Sequence, residues 1–118
     1  MRSMYREEIM DHYKRPRNTG KLEEGVEAEG ENASCGDKVH VYADIEGGEI
    51  SEFKHETEGC AICTAATSIL SQKVIGMNVE RVTRLDRDWI INELGIDVSP
   101  MRVKCAVLGL NTLKNAVE

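Results

Sequence analysis

The chain has 118 residues, of which 41% are hydrophobic and 31% charged, enough for a single globular domain over residues 1–118 with its own hydrophobic core. Its net charge of −6 argues against nucleic acid as the main partner, because binding to phosphates needs clustered Lys and Arg. No apolar run approaches the roughly 18 residues of a membrane span, and the charged start MRSMYREEIMDHYKRPRN does not fit a signal peptide, so we expect a cytoplasmic protein with no membrane partner.

The first predicted element is a short amphipathic helix over residues 4–13, which Pro16 and Gly20 prevent from continuing. Its apolar side is formed by residues spaced for one helix face: Tyr5, Ile9 and Tyr13, with Met10 beside them. Basic residues crowd this end of the chain, and five glutamates follow between positions 23 and 31. These two charged segments are either solvated surface or docking patches for protein partners.

The next part of the chain predicts antiparallel strands. Residues 21–34 show no period, so we expect a loop or an irregular edge there, with a third strand within 25–34 as the alternative. The segment DKVHVYADI, residues 37–45, alternates apolar and polar side chains as a half-buried strand does. EGGE at 46–49 is typical of a hairpin turn, and a second strand follows over residues 50–57.

The period becomes helical from Cys60, and Gly76 ends this helix. Its apolar face is formed by Ile62, Ala65, Ala66, Ile69, Leu70 and Val74. Residues 79–94 predict a turn and a short helix that Gly95 ends, and residues 105–117 predict a last helix after an extended MRVK segment. Strands followed by helices indicate an α+β fold, a small antiparallel sheet with helices packed on one face.

Three of the four cysteines fall at predicted element junctions. Cys35 lies in SCGD before the first clear strand, Cys60 begins the long helix, and Cys105 begins the last one. The positive end of a helix lowers the pKa of a thiol and favours the thiolate, which we expect for Cys60 and Cys105. Cys63 lies one turn inside the long helix.

Asp37 adds an oxygen donor to this set. The glycine in Cys-Gly-Asp allows a tight turn, so Cys35 and Asp37 can reach the same point in space. The alternative is ordinary turn chemistry, in which Gly-Asp pairs are common.

The residues leave several interpretations open. The cysteines could be small buried hydrophobes, above all Cys63, or Cys60 and Cys63 could form a thioredoxin-like redox pair. A redox pair explains neither Cys35 nor Cys105, and the preceding strands form a hairpin rather than a βαβ unit. A zinc ribbon is disfavoured by intervals of 24, 2 and 41 residues between the cysteines, although one zinc ion could be held tetrahedrally. An iron–sulfur cluster is the fourth interpretation, with an oxygen ligand making it easier to release.

The sequence resembles the iron–sulfur cluster assembly scaffold family, which includes IscU and the N-terminal domain of NifU. The matching segments are YREEIMDHYKRPRNTG, CGD at 35–37, I-x-x-F-K-x-x-T-x-G-C-A-I across 50–62, and VKCAVL at 103–108. The resemblance implies a SufE/NifU-like fold with a three-stranded antiparallel sheet. It also implies that Cys35, Cys60 and Cys105 are the scaffold cysteines, with Asp37 as the accompanying carboxylate.

The same resemblance implies a function. Such proteins are not themselves enzymes: they receive sulfur from a cysteine desulfurase, assemble a [2Fe–2S] cluster from iron and that sulfur, and pass it to acceptor apoproteins. Cys35 and Cys105 are the candidate sulfur acceptors, zinc is an alternative occupant of the isolated protein, and a homodimer around the bound cluster is one allowed assembly. The alternative function is a zinc-binding sulfur acceptor that works with a desulfurase. Because that branch carries an insertion before its last cysteine, the 41-residue interval here favours the scaffold.

Three departures from the family pattern concern individual residues. Lys104 replaces a histidine, and its cation either holds a neighbouring thiolate or faces solvent. VSPMRVK replaces the segment that a dedicated Hsp70-type chaperone recognises, which argues against that partner. Cys63 replaces a small residue, and it is either an alternative ligand, a persulfide relay or a packing residue. We predict no histidine ligand: His12 belongs to the surface or the first helix, and His40 and His55 occupy polar strand positions.

Overall fold

The computed structural model describes residues 2–118, with side chains from Arg6 onward. Its elements, in chain order, are α1 (Arg2–Lys14), β1 (Val26–Asn32), β2 (Asp37–Glu46), β3 (Glu49–Glu58), α2 (Ala61–Val74), α3 (Val79–Arg84), α4 (Arg87–Leu94) and α5 (Pro100–Val117). The predicted α+β fold is confirmed. None of the described helices is long and apolar enough to cross a bilayer.

The three strands form one antiparallel sheet in the order β1-β2-β3. Gly47 and Gly48 have φ of 59° and 79°, the left-handed conformations that a tight hairpin between right-twisted strands requires. Strand β1 is the strand predicted within residues 25–34 as an alternative to a loop. Its half-buried positions Val26, Ala28 and Gly30 alternate with exposed glutamates, and such small inner residues give a weak periodic signal.

The core lies between one face of this sheet and helices α2 and α5. The inner face of β2 and β3 contributes Val41, Ala43 and Phe53, each at most 1% exposed. Helix α2 is buried along most of its length, because the sheet, α1, α4 and α5 all contact it. The opposite face of the sheet is polar: His40 stacks on Tyr42 with ring centroids 4.4 Å apart.

Helix α1 packs on α2 through Ile9 and His12, which are 5% and 4% exposed. The predicted apolar stripe is therefore wrong in part, since Met10 and Tyr13 are both more than 40% exposed. The side chain of Tyr5 lies outside the described residues. His12 rather than Tyr13 lies on the buried side of α1, because the His12 ring forms a hydrogen bond with Ser68 there.

Two buried histidines fasten the segment after α1 to the body of the protein. The Nδ1 atom of His12 lies 2.7 Å from the Ser68 hydroxyl, which also accepts the Arg17 backbone N–H at 2.8 Å. The Nε2 atom of His55 donates to the Arg17 carbonyl at 2.9 Å. His12 lies in the first helix, one of the two places expected for it, but on the buried side of that helix. His55 lies on a strand as expected, but its position is completely buried rather than polar. Each ring makes hydrogen bonds that a neutral imidazole can make.

Two helix boundaries also differ from expectation. Helix α5 begins at Pro100, so MRVK is helical rather than extended and Cys105 lies in the second turn. Ser99-Pro100 marks its start, since proline is favoured at the first helical position. The turn expected within residues 79–94 is helix α3, and the Asn78 side chain caps this helix by accepting the backbone N–H of Glu80.

The two buried histidines make stability depend on pH. Burial lowers the pKa of both rings below the ordinary 6.5, and the Arg17 charge lowers that of His12 further. Near pH 6.5 the unfolded chain therefore binds more protons at these two side chains than the folded chain does. We expect the free energy of unfolding to be highest above that pH and to fall below it, by up to about 1.4 kcal/mol per pH unit for each histidine.

Urea unfolding of the metal-free protein at pH 7.5 and 5.5 checks this expectation. His55→Gln keeps a donor for the Arg17 carbonyl and should reduce the difference between the two pH values, whereas His40→Gln on the outer sheet face should not. Equal stability of the wild-type protein at both pH values would contradict the argument.

Candidate metal centre

Cys35 lies on an exposed turn, residues 33–36, between β1 and β2. The Asn32 carbonyl accepts the backbone N–H groups of Cys35 and Gly36 at 3.1 and 2.9 Å and closes the turn. Gly36 has φ of 73°, a conformation that glycine adopts without the strain of a side chain. The predicted tight turn in Cys-Gly-Asp is confirmed.

Asp37 is the first residue of β2 and is completely buried. Its Oδ1 atom accepts the backbone N–H of Cys60 at 3.0 Å, which joins the start of β2 to the start of α2. Glycine at position 59 allows this approach, because a Cβ atom there would lie 2.5 Å from Oδ1. A buried carboxylate is costly unless it is hydrogen-bonded, so this contact also holds Asp37 in place.

Cys60 is the N-cap residue of α2, and its Sγ accepts the backbone N–H of Cys63 at 3.5 Å. The side chain is half-buried. This confirms the predicted junction between a strand and a helix.

Cys105 is only 3% exposed and faces Cys35 and Asp37. Burial raises the pKa of its thiol, and hydrogen bonds with Asp37 and Cys35 raise it further. The expected lowering of this pKa by a helix N-terminus is wrong, because the helix begins five residues earlier.

The ligand atoms of Cys35, Asp37 and Cys105 all lie within 4.8 Å of one another. Cys60 adjoins this group, since its amide binds Asp37 and its thiol interacts with that of Cys105. The fold therefore brings together two thiols and a carboxylate from three different elements, with a third thiol beside them. Thiolate sulfur with one oxygen is a donor set that suits zinc or an iron–sulfur cluster.

Cys63 differs from the other cysteines because it belongs to the hydrophobic core. Its side chain is fully buried, and burial raises the pKa of its thiol to about 12. Among the described residues, its Sγ atom is not one of the ligand atoms that lie within 4.8 Å of one another. This environment favours packing over ligation for Cys63.

The sequence did not predict the hydrogen bonds that join Asn32, Ser34 and Lys104 beside Cys35. The Asn32 amide donates to the Lys104 carbonyl at 2.9 Å. The Lys104 ammonium donates to the Ser34 hydroxyl at 3.2 Å, and that hydroxyl lies 3.8 Å from Cys35 Sγ. Lys104 thus reaches Cys35 through Ser34 and remains exposed. Nothing in the acidic stretch before Cys35 pointed to Asn32, because its partner lies 72 residues away.

The fold and the donor group agree with one protein family. The profile of the NifU-like N-terminal domain matches residues 4–118. The chain belongs to this family. The resemblance inferred from the cysteine-containing segments is confirmed, and it extends over nearly all of this NifU-like chain.

Individual relatives cover almost the whole NifU-like chain. The zinc-dependent sulfurtransferase SufU of Bacillus subtilis is 31% identical over 98% of this chain and 90% of its own length. The iron–sulfur cluster assembly scaffold protein IscU of Thermotoga maritima is 33% identical over 98% of this chain and 93% of its own. A crystal structure from Fervidobacterium islandicum, of a candidate iron–sulfur cluster assembly scaffold for the SUF system, is 34% identical. It matches with a TM-score of 0.78 over 95% of both chains.

The four cysteines should react with a thiol reagent in an order set by their exposure. We expect iodoacetamide to label Cys35 first, because it is exposed, and Cys63 last, because it is fully buried with a raised pKa. Peptide mass spectrometry of the metal-free protein at pH 8 measures this order. Labelling of Cys63 before Cys35 would contradict the site described above.

Proposed function

We propose that this protein is a scaffold on which a [2Fe–2S] cluster is assembled from iron and desulfurase-derived sulfur and then passed to acceptor apoproteins. The observation that carries the proposal is the convergence of Cys35, Asp37 and Cys105 within 4.8 Å. Cys60 supplies the fourth ligand. Thiolates are the usual ligands of such clusters, and membership of the NifU-like N-terminal domain family supports the assignment.

Exposure selects the thiol that receives sulfur. Cys35 is exposed and Cys105 is 3% exposed, so a desulfurase can present its persulfide to Cys35 first. The Cys35 thiolate attacks the outer sulfur, a new S–S bond forms on Cys35, and the desulfurase thiolate leaves. Conversion of this persulfide to sulfide and free Cys35 thiolate takes two electrons from an external reductant.

Asp37 provides the exchangeable position of the site. Its Oδ1 atom accepts the Cys60 amide, so the carboxylate is already oriented when iron arrives. A carboxylate binds iron less strongly than a thiolate in such a mixed set. Release of the cluster therefore begins at Asp37, while the thiolates still hold it.

The scaffold comprises residues 1–118 as one cytoplasmic domain. It accepts sulfur and returns to its free form when the cluster is passed on, so it is a sulfur acceptor rather than an enzyme. Its partners are a cysteine desulfurase and apoproteins that take up the cluster, and a second copy of the chain is an allowed partner of the loaded form. No dedicated chaperone is included, because VSPMRVK departs from the segment such a chaperone recognises.

The second candidate function is zinc-dependent sulfur transfer, which the similarity to Bacillus subtilis SufU favours. Chain length does not separate the two functions. The alignments with that protein and with Thermotoga maritima IscU span 134 and 132 positions against 118 residues here. The donor group would hold one zinc ion tetrahedrally, and sulfur would still arrive on an exposed thiol.

Anaerobic reconstitution with ferrous iron and sulfide distinguishes the two candidates. The scaffold should bind iron and sulfide in equal amounts, as a [2Fe–2S] cluster contains them, and absorb in the visible range as a [2Fe–2S] protein. Metal and sulfide analysis measures the stoichiometry. A protein that retains one zinc and takes up no iron and sulfide would refute the scaffold assignment and leave the zinc-dependent one.

Cys63→Ala provides the matched control for this experiment. Cys63 is a core residue rather than a ligand, so the variant should bind the same cluster as the wild type, whereas Cys60→Ala should lose it. Equal loss in both variants would indicate that Cys60 and Cys63 act as a pair, as a redox motif requires.

Cluster transfer to an apo-ferredoxin tests the role of Asp37. Asp37→Asn keeps an oxygen that accepts the Cys60 amide but removes the displaceable carboxylate ligand. The cluster then lacks the position at which exchange begins, so we expect transfer to slow by about tenfold while the fold is retained. Asp88→Asn on the exposed surface of α4 is the control. Transfer at the wild-type rate in Asp37→Asn would remove Asp37 from this role.

A further inference from the structure

Asn32 contacts every element that contributes to the three-ligand group. It ends β1 and pairs with Asp37 across the sheet. Its backbone carbonyl closes the turn that carries Cys35, through the amides of Cys35 and Gly36. Its side-chain amide donates to the Lys104 carbonyl in α5 at 2.9 Å and lies 3.5 Å from Asp37 Oδ2.

These contacts connect parts of the chain that are remote in sequence. Cys35 and Cys105 are separated by 70 residues, and the Asn32 side chain crosses from the turn to the residue directly before Cys105. The same two segments are also joined by the hydrogen bond from Lys104 to Ser34 and by the contact between the Cys35 and Cys105 thiols. The Lys104–Ser34 bond and the bond from Asn32 to the Lys104 carbonyl are both exposed. Asn32 differs in that its side chain also reaches the buried Asp37 carboxylate. Asn32 is half-buried.

The buried Asp37 carboxylate also depends on its donors. Oδ1 is served by the Cys60 amide at 3.0 Å, and Oδ2 is approached by the Asn32 amide at 3.5 Å. The two N–H groups of Asn32 therefore point to Asp37 and to α5 together. A side chain of the same size without donors would remove the Asn32 bonds to α5 and to Asp37. The turn would then be joined to α5 by the exposed Lys104–Ser34 bond and the contact between the two thiols.

We propose that Asn32 is a positioning residue that holds the Cys35 turn against α5 and orients Asp37, so that the ligand atoms keep their spacing. This role rests on the proposed function, in which those atoms bind metal. Outer hydrogen bonds of this kind fix the orientation of ligands, and their loss typically reduces metal affinity 10- to 100-fold. Asn32 acts through its neighbours and binds no metal itself.

Labelling of the metal-free protein with iodoacetamide tests the positioning role separately from metal binding. Asn32→Leu preserves size and neutrality but removes the donors, so the turn should open locally and expose Cys105. We expect Cys105 to react about fivefold faster, the effect of one lost hydrogen bond, while Cys63 in the core keeps its wild-type rate. Peptide mass spectrometry gives both rates from the same sample.

Thr112→Val is the control for a purely structural effect. Thr112 donates a buried hydrogen bond within α5 to the Leu108 carbonyl, and its loss weakens the protein away from the ligands. This variant should accelerate Cys63 and Cys105 by the same factor through global opening. An unchanged ratio of Cys105 to Cys63 labelling in Asn32→Leu would overturn the proposal.

Cobalt(II) titration provides the second measurement. We expect the wild-type protein to give thiolate-to-cobalt absorption bands, Asn32→Leu to bind at least about tenfold more weakly, and Thr112→Val to bind as the wild type. Wild-type affinity in Asn32→Leu would also overturn the proposal. A wild-type protein that binds neither cobalt nor a cluster, with the labelling ratio still changed by Asn32→Leu, would refute the proposed function and retain the positioning role.

Discussion

The burial of one carboxylate organises this end of the molecule. Asp37 has no exposed surface, and its Oδ1 atom accepts the amide of Cys60. A buried polar group needs hydrogen-bond partners. The donors to Asp37 come from the start of α2 and the end of β1, which therefore meet the start of β2 around it. Gly59 is needed for the same reason, since any Cβ atom would displace the carboxylate. Cys35 and Cys60 are attached to these same ends, and Cys105 on α5 joins them through its contacts with Asp37 and Cys35.

The four thiols differ in environment although their chemistry is the same. Cys35 is exposed on a turn, Cys60 caps a helix, Cys105 is buried beside Asp37, and Cys63 is enclosed by the core. These differences separate access from burial: Cys35 is open to solvent, while the thiol of Cys105 and the Asp37 carboxylate are enclosed by the fold. The C-x-x-C spacing of Cys60 and Cys63 therefore follows from a cap and a core position rather than from a redox pair.

The alternation of residues 37–45 and the helical period after Cys60 predicted β2 and α2 correctly, because large apolar residues mark their inner faces. The same signals failed where packing is unusual. Strand β1 presents Val26, Ala28 and Gly30 inward, too little bulk for a clear period. The start of α5 was missed because Met101 and Arg102 are exposed. Family motifs identified the cysteines and Asp37, but the contact between Asn32 and Lys104 depends on tertiary structure that no local pattern encodes.

The supports of the three grouped ligands are mechanically unequal. Cys105 lies within an 18-residue helix. Asp37 begins the central strand β2, which is hydrogen-bonded to β1 on one side and β3 on the other. Cys35 is carried by four exposed turn residues, 33–36. Of these three supports the turn alone lies outside a helix or strand, so a change in the size of an occupant of the proposed site would displace the turn more than the other two supports. The site has a stiff wall and a compliant one, and the compliant wall is the one exposed to solvent.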